Sequence, residues 1–342
     1  MNQDWHTFLS TQGAHLQDGI AQHFGDAAAE RITTRDGTVR CYLSQFGLLK
    51  VAGEDAQSFL QNLLSNDIRE VTSMHAQLSS FNNAKGRMLA SMLIWRDGND
   101  YVLQLHHSLC EPIRKKLSMY VLRSKVKIVD VSAELVCIGV AGADAIKTLQ
   151  VLYSELPQQA MEVATQSEDN ILCRETNRFQ ITTTPQLAIE LWQALSALRA
   201  IGSPCWDWQD IRAGVPFVQA ATLEAFVPQM LNFEVIGGVN FKKGCYPGQE
   251  VVARMHYLGK ASRRMYLAHL DDATEAKAGD SLFSTASTEQ SCGTVVSAQP
   301  SPKGGIDLLA VVQTASHEGA SVHLGKMDGP QLKFQALPYA LP

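Results

Sequence analysis

The sequence lacks two features that would mark a membrane protein or a nucleic-acid binder. Its longest apolar run, Met88–Trp95, is interrupted by Ser91, whereas a membrane-spanning helix needs about 20 apolar residues. An excess of positive charge is also missing, because 29 basic residues stand against 34 acidic ones and the net charge is -5. Bulk attraction to a phosphate backbone or to anionic lipid is therefore not expected. We expect a soluble protein with no membrane partner and no direct contact with nucleic acid.

A basic segment followed by an apolar stretch, the mark of a secretory signal, is missing from Met1–Gln12. We therefore expect the protein to be cytoplasmic. Cys-x-x-Cys pairs are missing too, and the seven cysteines lie far apart, so no local spacing indicates a metal site and we expect no metal ligands. In the reducing cytoplasm most of these thiols should be small buried side chains. Cys137, in the strand-like run Leu135–Ile138, is an example.

The chain has 342 residues, of which 45% are hydrophobic, and this length predicts two or three domains with substantial cores. Val51–Leu64 aligns with Val140–Tyr153, and eight of the fourteen positions are identical. Each copy is typical of a strand, a glycine turn and a helix. The repeat therefore predicts two related α+β modules, the second running from about Ala133 to Ser203. The open alternative is that Gly-x-Asp-Ala is a favourable strand-to-helix turn used twice by chance.

Local patterns predict the remaining elements. Met88–Trp95 and Tyr101–Leu105 should form a hairpin around an Asp-Gly turn, and a helix should follow from Pro112 to Leu122. After Arg263, six short β-prone stretches separated by turn residues predict a small antiparallel barrel or sandwich. These stretches are Met265–Leu270, Ser281–Phe283, Gly293–Ser297, Leu308–Val312, Ser321–Leu324 and Leu332–Leu337. The first thirty residues favour one or two helices, because apolar and aromatic side chains recur loosely at helical spacing. These side chains include His6, Phe8, Leu9, Leu16, Ile20 and Phe24.

One segment carries candidate chemistry. Cys245 lies on a turn between two glycines, after Lys242 and Lys243, and a helix can begin at Gln249. Neighbouring ammonium groups and helix N-terminal amides favour a thiolate over a thiol. Cys245 is therefore a candidate reactive thiol, with Lys243 as the cation that favours its thiolate. On these grounds alone, a free cysteine on an ordinary tight turn is an equally good interpretation.

Residues Lys243–Glu250 read Lys-Gly-Cys-Tyr-x-Gly-Gln-Glu, which resembles the signature of the YgfZ-type folate-binding proteins, relatives of the T-protein aminomethyltransferase of glycine cleavage. The similarity extends from about Leu43 to Leu337 and includes Ala84–Gly86 and Arg212–Pro216. The resemblance implies an α+β fold with two ferredoxin-like modules and a C-terminal small antiparallel β-barrel, arranged as a ring around a central channel that holds tetrahydrofolate. The implied domains are residues 1–132 with 204–256, which bind folate, then 133–203, and 257–342 as the barrel.

The resemblance also implies where folate binds. In the relatives folate stacks near two aromatic positions, and these correspond to Phe46 and Trp206 here. Phe46 departs from the tryptophan of the family, and it keeps a π-face while giving up area and the indole donor. Core packing of either ring stays open, as does a role for Trp208 in place of Trp206.

Three side chains within or just after the motif complete the expected folate site. They are Tyr246, Glu250 and Arg254. The guanidinium of Arg254 can turn back toward the folate glutamate tail or toward Glu250, which a bidentate fork would suit. A solvated arginine at the end of a helix is the alternative.

For the bacterial members, the resemblance implies a role in assembling or repairing iron–sulfur clusters in client enzymes, among them radical enzymes that thiolate tRNA. Any effect on tRNA modification would then be indirect. The alternative is a folate-dependent aminomethyltransferase, but no carboxylate stands between Gly86 and Ile94, and Asn83 occupies a position where relatives can carry aspartate. A third possibility is that Cys245 ligates a cluster directly, which requires about three further thiolates from elsewhere.

Overall fold

The computed structural model describes residues 2–259, 261–271, 273, 275–285 and 290–342. Within these residues the chain mixes helices and strands, as the sequence predicts. The α-helices are α1 (Gln3–Thr11), α2 (Ala27–Asp36), α3 (Ala56–Gln61), α4 (Cys110–Ser118), α5 (Ala145–Leu149), α6 (Pro185–Ala194), α7 (Ser203–Arg212), α8 (Gln249–Leu258) and α9 (Thr314–Gly319). None of the described helices is long and apolar enough to span a lipid bilayer.

The strands fall into several sheets. They are β1 (His15–Gln17), β2 (Ile20–His23), β3 (Val39–Tyr42), β4 (Phe46–Ala52), β5 (Gln77–Asn82), β6 (Met88–Asp97), β7 (Asp100–His106), β8 (Lys127–Asp130), β9 (Val136–Ala141), β10 (Val163–Gln166), β11 (Asp169–Glu175), β12 (Arg178–Thr183), β13 (Arg199–Ile201), β14 (Arg263–Leu270), β15 (Ser281–Ser284), β16 (Gly293–Pro300), β17 (Ile306–Gln313), β18 (Val322–Leu324) and β19 (Lys333–Gln335).

The chain divides into two compact units, each assembled from separate stretches of sequence. The first unit comprises Met1–Phe59, Arg69–Gln77 and Leu93–Trp206. The second unit comprises Leu60–Ile68, Leu78–Met92 and Asp207–Pro342. The domain limits implied by the family resemblance, 1–132 with 204–256, 133–203 and 257–342, stay a prediction.

Two sheets use a common strand order. One has the order β5-β6-β7-β4-β8, and the other has β10-β11-β12-β9-β3-β13. In the first sheet, β4 leads into helix α3 and pairs antiparallel with β7, the third strand after it. In the second sheet, β9 leads into helix α5 and likewise pairs antiparallel with β12, the third strand after it. The internal repeat of the sequence therefore corresponds to one local topology used twice.

A left-handed glycine turns each repeat from strand to helix. Gly53 has a φ of 119° and Gly142 a φ of 125°. A Cβ on Gly53 would lie 2.1 Å from the carbonyl oxygen of Lys125, and a Cβ on Gly142 would lie 2.2 Å from that of Gly37. Both positions need glycine for the backbone dihedral and for space. The conserved spacing of the repeat thus has a structural reason in both copies.

The start of the chain differs from the predicted helices. α1 ends at Thr11, and the chain continues into a hairpin of β1 and β2. Asp18 and Gly19 have φ values of 51° and 79°, which match the left-handed pair that an Asp-Gly turn provides between two strands. Leu16 and Ile20 are therefore strand residues. The helical interpretation of their spacing is wrong, because the turn signal decides the local structure over a loose helical period.

The later strand predictions are confirmed. β6 and β7 form the expected hairpin, whereas α4 ends at Ser118 and not at Leu122. The six C-terminal stretches become β14 to β19, which form one curled antiparallel sheet in the order β18-β15-β16-β17-β14-β19. Side chains such as Leu282, Val295 and Leu308 form its core. Burial of these alternating apolar residues holds the sheet together.

Candidate functional site

The first turn of α8 positions the cysteine motif. α8 begins at Gln249, as predicted, directly after Gly248, whose φ of 77° is left-handed. A Cβ on Gly248 would lie 2.5 Å from Asn83 O and from Gly86 N. Gly244, by contrast, has open space around it. The close approach of two backbone segments therefore requires glycine at position 248 of the motif.

The backbone that α8 approaches is the β5–β6 turn. Asn83 Oδ1 accepts hydrogen bonds from the backbone N–H groups of Lys85 (2.9 Å) and Arg87 (3.0 Å), which is typical of a turn closed by an asparagine side chain. Gly86 has a φ of 72°, and a Cβ there would lie 3.1 Å from Val251 Cβ. This turn is one of the stretches that resemble the family, and it packs against the start of α8.

Lys243 is buried, and backbone groups hold its ammonium. Nζ donates hydrogen bonds to the carbonyl oxygens of Gln61 (2.7 Å), Asn66 (3.2 Å) and Leu64. These carbonyls lie at the end of α3 and in the turn after it, where carbonyl groups lack helical partners and favour a cation. Nζ also lies 5.1 Å from the centroid of the Tyr246 ring. Three N–H donors meet three carbonyls, so Lys243 anchors the motif to the 60–68 segment.

Cys245 is the exposed thiol of the chain. All seven cysteines lie in the described residues, and the other six are buried. Burial raises the pKa of Cys110 and of Cys137 to about 12, so these thiols stay protonated near neutral pH. Cys245 is therefore the thiol that can meet another molecule. In the described part of the chain, no group of three or more His, Cys, Asp and Glu side chains is arranged to hold a metal ion.

The other motif side chains divide between interior and surface. Tyr246 is buried, and burial raises the pKa of its hydroxyl to about 12. Glu250 and Arg254 are exposed on α8. They stand four residues apart, a spacing at which helix side chains are neighbours. No ion pair between these two described residues forms, so the roles predicted for both stay predictions.

The two aromatic residues expected to contact folate belong to the first unit. Phe46 begins β4 opposite His106 and is buried. Trp206, on α7, is 0% exposed. The guanidinium carbon of Arg178 lies 4.2 Å from its ring centroid, and a Cβ on Gly139 would lie 2.3 Å from the indole. This packing favours the core role for Trp206, and stacking on folate stays a prediction.

Reasoning from the sequence missed two buried amides in the first unit. Gln180 Nε2 donates to Gln104 Oε1 (2.6 Å), and Arg174 donates to Gln180 Oε1 (3.2 Å). Among the residues that the structure describes, Gln104 Nε2 has no hydrogen-bond partner, and neither side-chain polar atom of Gln77 has one. A glutamine inside the apolar run Tyr101–Leu105 was the available signal, because a buried polar group needs a partner.

The strand register relates these amides to the predicted aromatics. The cross-strand partner of Gln104 on β4 lies two residues after Phe46, so the side chains of Phe46 and Gln104 share one face of their sheet. Gln180 pairs with Gly139 on β9, and the indole of Trp206 covers that glycine. Both aromatics therefore lie on the sheet faces joined by the Gln104–Gln180 hydrogen bond.

Comparison with known proteins identifies first the class of the fold. The structure matches the crystal structure of the glycine cleavage system aminomethyltransferase T from Bartonella henselae with a TM-score of 0.81, at 18% identity, over 99% of this chain and 97% of that one. The model of the GCVT N-terminal domain matches residues 7–201. The fold is thus that of the glycine-cleavage T-proteins.

Two bacterial relatives identify the family. The tRNA-modifying protein YgfZ of Escherichia coli O45:K1 (strain S88 / ExPEC) is 31% identical over 303 residues, which are 87% of this chain and 92% of that protein. The protein of the same name from Shigella boydii serotype 18 matches at the same identity and coverage. The chain belongs to the YgfZ family, as the resemblance of its sequence predicts.

Proposed function

We propose that the protein binds a reduced folate and acts through Cys245 in the assembly or repair of iron–sulfur clusters in client enzymes of the cytoplasm. Enzymes that thiolate tRNA are the clients we expect, so the effect on tRNA modification is indirect. The similarity to the tRNA-modifying protein YgfZ supports this proposal. The observation that carries it is the exposure of Cys245 just before α8, while the six other cysteines of the described chain are buried.

An exposed thiol can act on a client in two ways. As a ligand, Cys245 supplies one thiolate of the about four that a cluster needs, and the client supplies the others. As a nucleophile, its sulfur bonds to one sulfur of a client disulfide while the other leaves as a thiolate. Neither role needs a second cysteine of this chain nearby. Gly248 and the buried ammonium of Lys243 fix the backbone on either side of the thiol, which supports both roles.

Residues of the first unit suit a pterin ring. The edge of a pterin carries N–H donors beside ring acceptors, and an amide side chain offers both a donor and an acceptor. Gln104 is buried, and its Nε2 lacks a partner within the described residues. Phe46, on the same sheet face, supplies an aromatic surface. These residues would bind and orient the folate, whose N5 and N10 atoms can carry a one-carbon unit. The arrangement of modules and barrel as a ring around a folate channel stays a prediction.

Calorimetry with tetrahydrofolate tests the folate part of the proposal. Phe46→Ala should weaken binding by roughly 1 to 3 kcal/mol, on the scale of ring stacking, and Gln104→Leu should weaken it as well. Tyr120→Ala removes an exposed aromatic ring of the same unit and should leave the affinity unchanged. Trp206→Phe keeps most of the buried volume and tests the second ring. Unchanged affinity in folded Phe46→Ala and Gln104→Leu variants would rule out this location.

Complementation tests the thiol part. Cys245→Ser exchanges one atom on an exposed turn and should leave the fold intact, yet it should abolish rescue of tRNA thiolation and of cluster occupancy in cells that lack the protein. Cys292→Ser changes a buried cysteine of the C-terminal sheet and should retain rescue as long as the variant folds. Full rescue by Cys245→Ser would reduce the motif to a structural turn.

The shared fold with aminomethyltransferase T favours a second candidate, folate-dependent aminomethyl transfer. An amide stands at Asn83, where its oxygen is occupied by two backbone N–H groups, and β6 carries no carboxylate before Arg96. Such a transfer needs an acidic group to handle a proton. Release of ammonia from an aminomethyl-loaded carrier protein would establish the second candidate, and its absence would support the first.

A further inference from the structure

The second unit contains a cleft that the proposed function does not use. Its volume is about 900 Å³, and its lining includes Met255 and His256 from the last turns of α8, Arg264 and Tyr266 from β14, and His317 from α9. Cys245 precedes the other end of α8. The cleft is therefore lined by the later half of α8, whereas the cysteine motif ends in the first turn of that helix.

Two buried oxygen atoms of the lining have no hydrogen-bond partner among the residues that the structure describes. Gln229 is 2% exposed, and its Nε2 donates to the carbonyl oxygen of Val252 (2.6 Å). The Glu234 side chain is 8% exposed, and its Oε1 accepts from Arg264 Nη1 (2.6 Å). Within the described residues, Gln229 Oε1 and Glu234 Oε2 accept no hydrogen bond. Buried polar atoms of this kind are stable only with a donor, and both side chains belong to the lining of the cleft.

An aromatic surface lies in the same cleft. The rings of Tyr266 and His317 stack at 3.8 Å with 7° between their planes, and the Phe334 ring meets His317 edge-on at 4.5 Å. Burial lowers the pKa of His317, so the imidazole is neutral near pH 7 and repels no cation. Aromatic faces attract positive charge. Because the Arg264 guanidinium balances the charge of Glu234, the exposed carboxylate of Glu318 leaves the lining with a net negative charge.

We propose that this cleft binds an organic cation with a primary ammonium or guanidinium head. The head donates N–H bonds to Glu234 Oε2 and Gln229 Oε1, and the carbon chain behind it lies against Tyr266 and His317. Both acceptors require hydrogen, which ammonium and guanidinium groups carry in several directions. A quaternary ammonium carries the same charge without any N–H group. Comparing the two kinds of head group therefore separates hydrogen bonding from charge attraction alone.

Calorimetry on the full chain with three probes tests this distinction. Agmatine carries a guanidinium and an ammonium head, putrescine carries ammonium heads, and choline carries a quaternary head. We expect agmatine, putrescine or both to bind and to raise the melting temperature, and the better of the two identifies the head. Choline should bind at least about tenfold more weakly, because it leaves both acceptors unpaired. Equal affinity for choline, or no binding of agmatine and putrescine up to millimolar concentration, would overturn the proposal.

Variants locate the site. Glu234→Gln should weaken the better probe at least about tenfold, whereas Glu275→Gln, the same exchange at an exposed position outside the lining, should change affinity by less than about threefold. Because Glu234 also binds Arg264, a second variant leaves both groups intact. Ala261→Phe fills the cleft from its lining and should abolish binding with little change in melting temperature. Binding retained in Ala261→Phe would place the probe elsewhere and refute the assignment.

Discussion

Replacing Lys243 by methionine should destabilise the protein strongly. The substitution keeps the buried carbon chain and removes the ammonium. The carbonyl groups of Gln61, Leu64 and Asn66 then lose their shared donor. At roughly 1 kcal/mol for each buried carbonyl left unpaired, the free energy of unfolding should fall by about 3 kcal/mol. A loss of that size is a large part of the stability of a typical protein.

Urea unfolding followed by circular dichroism measures this loss, and the neighbouring lysine provides a matched control. Lys242 is exposed, and its described hydrogen bond runs from its backbone N–H to Asn240 Oδ1 (2.9 Å), which substitution preserves. Lys242→Met should therefore change stability by less than about 0.5 kcal/mol. Equal, small effects of the two substitutions would refute the anchoring role.

Alkylation of the folded Lys243→Met variant separates anchoring from activation. An anchor alone predicts that Cys245 in the folded protein reacts at nearly the wild-type rate. A rate lowered by about tenfold would support the activating role expected from the sequence, because nucleophilic reactivity follows thiolate content. The alkylation rate is measured without urea, on variant protein that circular dichroism shows to be folded.

Three other predictions rest on single positions. Gly248→Ala should lower the free energy of unfolding by about 1 to 3 kcal/mol through backbone strain alone. Gly244→Ala, whose added methyl group meets open space, should leave the urea midpoint unchanged. Equal midpoints for the two variants would contradict the close contact between Gly248 and the β5–β6 turn. In native protein Cys245 should be the first of the seven cysteines to react with iodoacetamide, as peptide mass spectrometry would show, and faster labelling of a buried cysteine would contradict its assignment. Burial, together with the nearby charge of His107, lowers the pKa of His106 from 6.5 to about 3. The unfolded state then binds more protons below pH 6.5, so stability should fall as the pH drops toward 3, and His106→Gln should reduce that fall in urea midpoints measured across this range.

The sequence predicted best those elements whose limits carry strong local signals. Gly248 and the acidic Glu250 mark the start of α8, and Gly, Pro and Asp residues separate the six C-terminal strands. The strand-turn-helix repeat was detectable because Gly53 and Gly142 are both required by left-handed backbone and by close contacts. Requirements of this kind depend on consecutive residues and can therefore be recognised in the sequence.

Other features depend on contacts between distant residues and could not be predicted locally. Lys243 lies beside Cys245 in sequence, yet its ammonium binds carbonyls about 180 residues earlier in the chain, at Gln61 and Asn66. The hydrogen bond between Gln104 and Gln180 likewise joins strands of different sheets. Neither partner could be identified from spacing, because a buried polar group shows in the sequence that it needs a partner but not which one it has.

The division of both units into separate stretches has a consequence during synthesis on the ribosome. Residues 78–92 emerge early, but residues 207–342 of the same unit follow more than a hundred residues later. Met88, buried in the finished protein, must wait for Phe226, whose carbonyl oxygen accepts the Met88 N–H (2.8 Å). Until then this segment lacks the larger part of its own unit, and incompletely packed apolar segments aggregate or bind chaperones. A nascent chain halted after Trp206 should therefore be captured by chaperones, whereas the full chain is released.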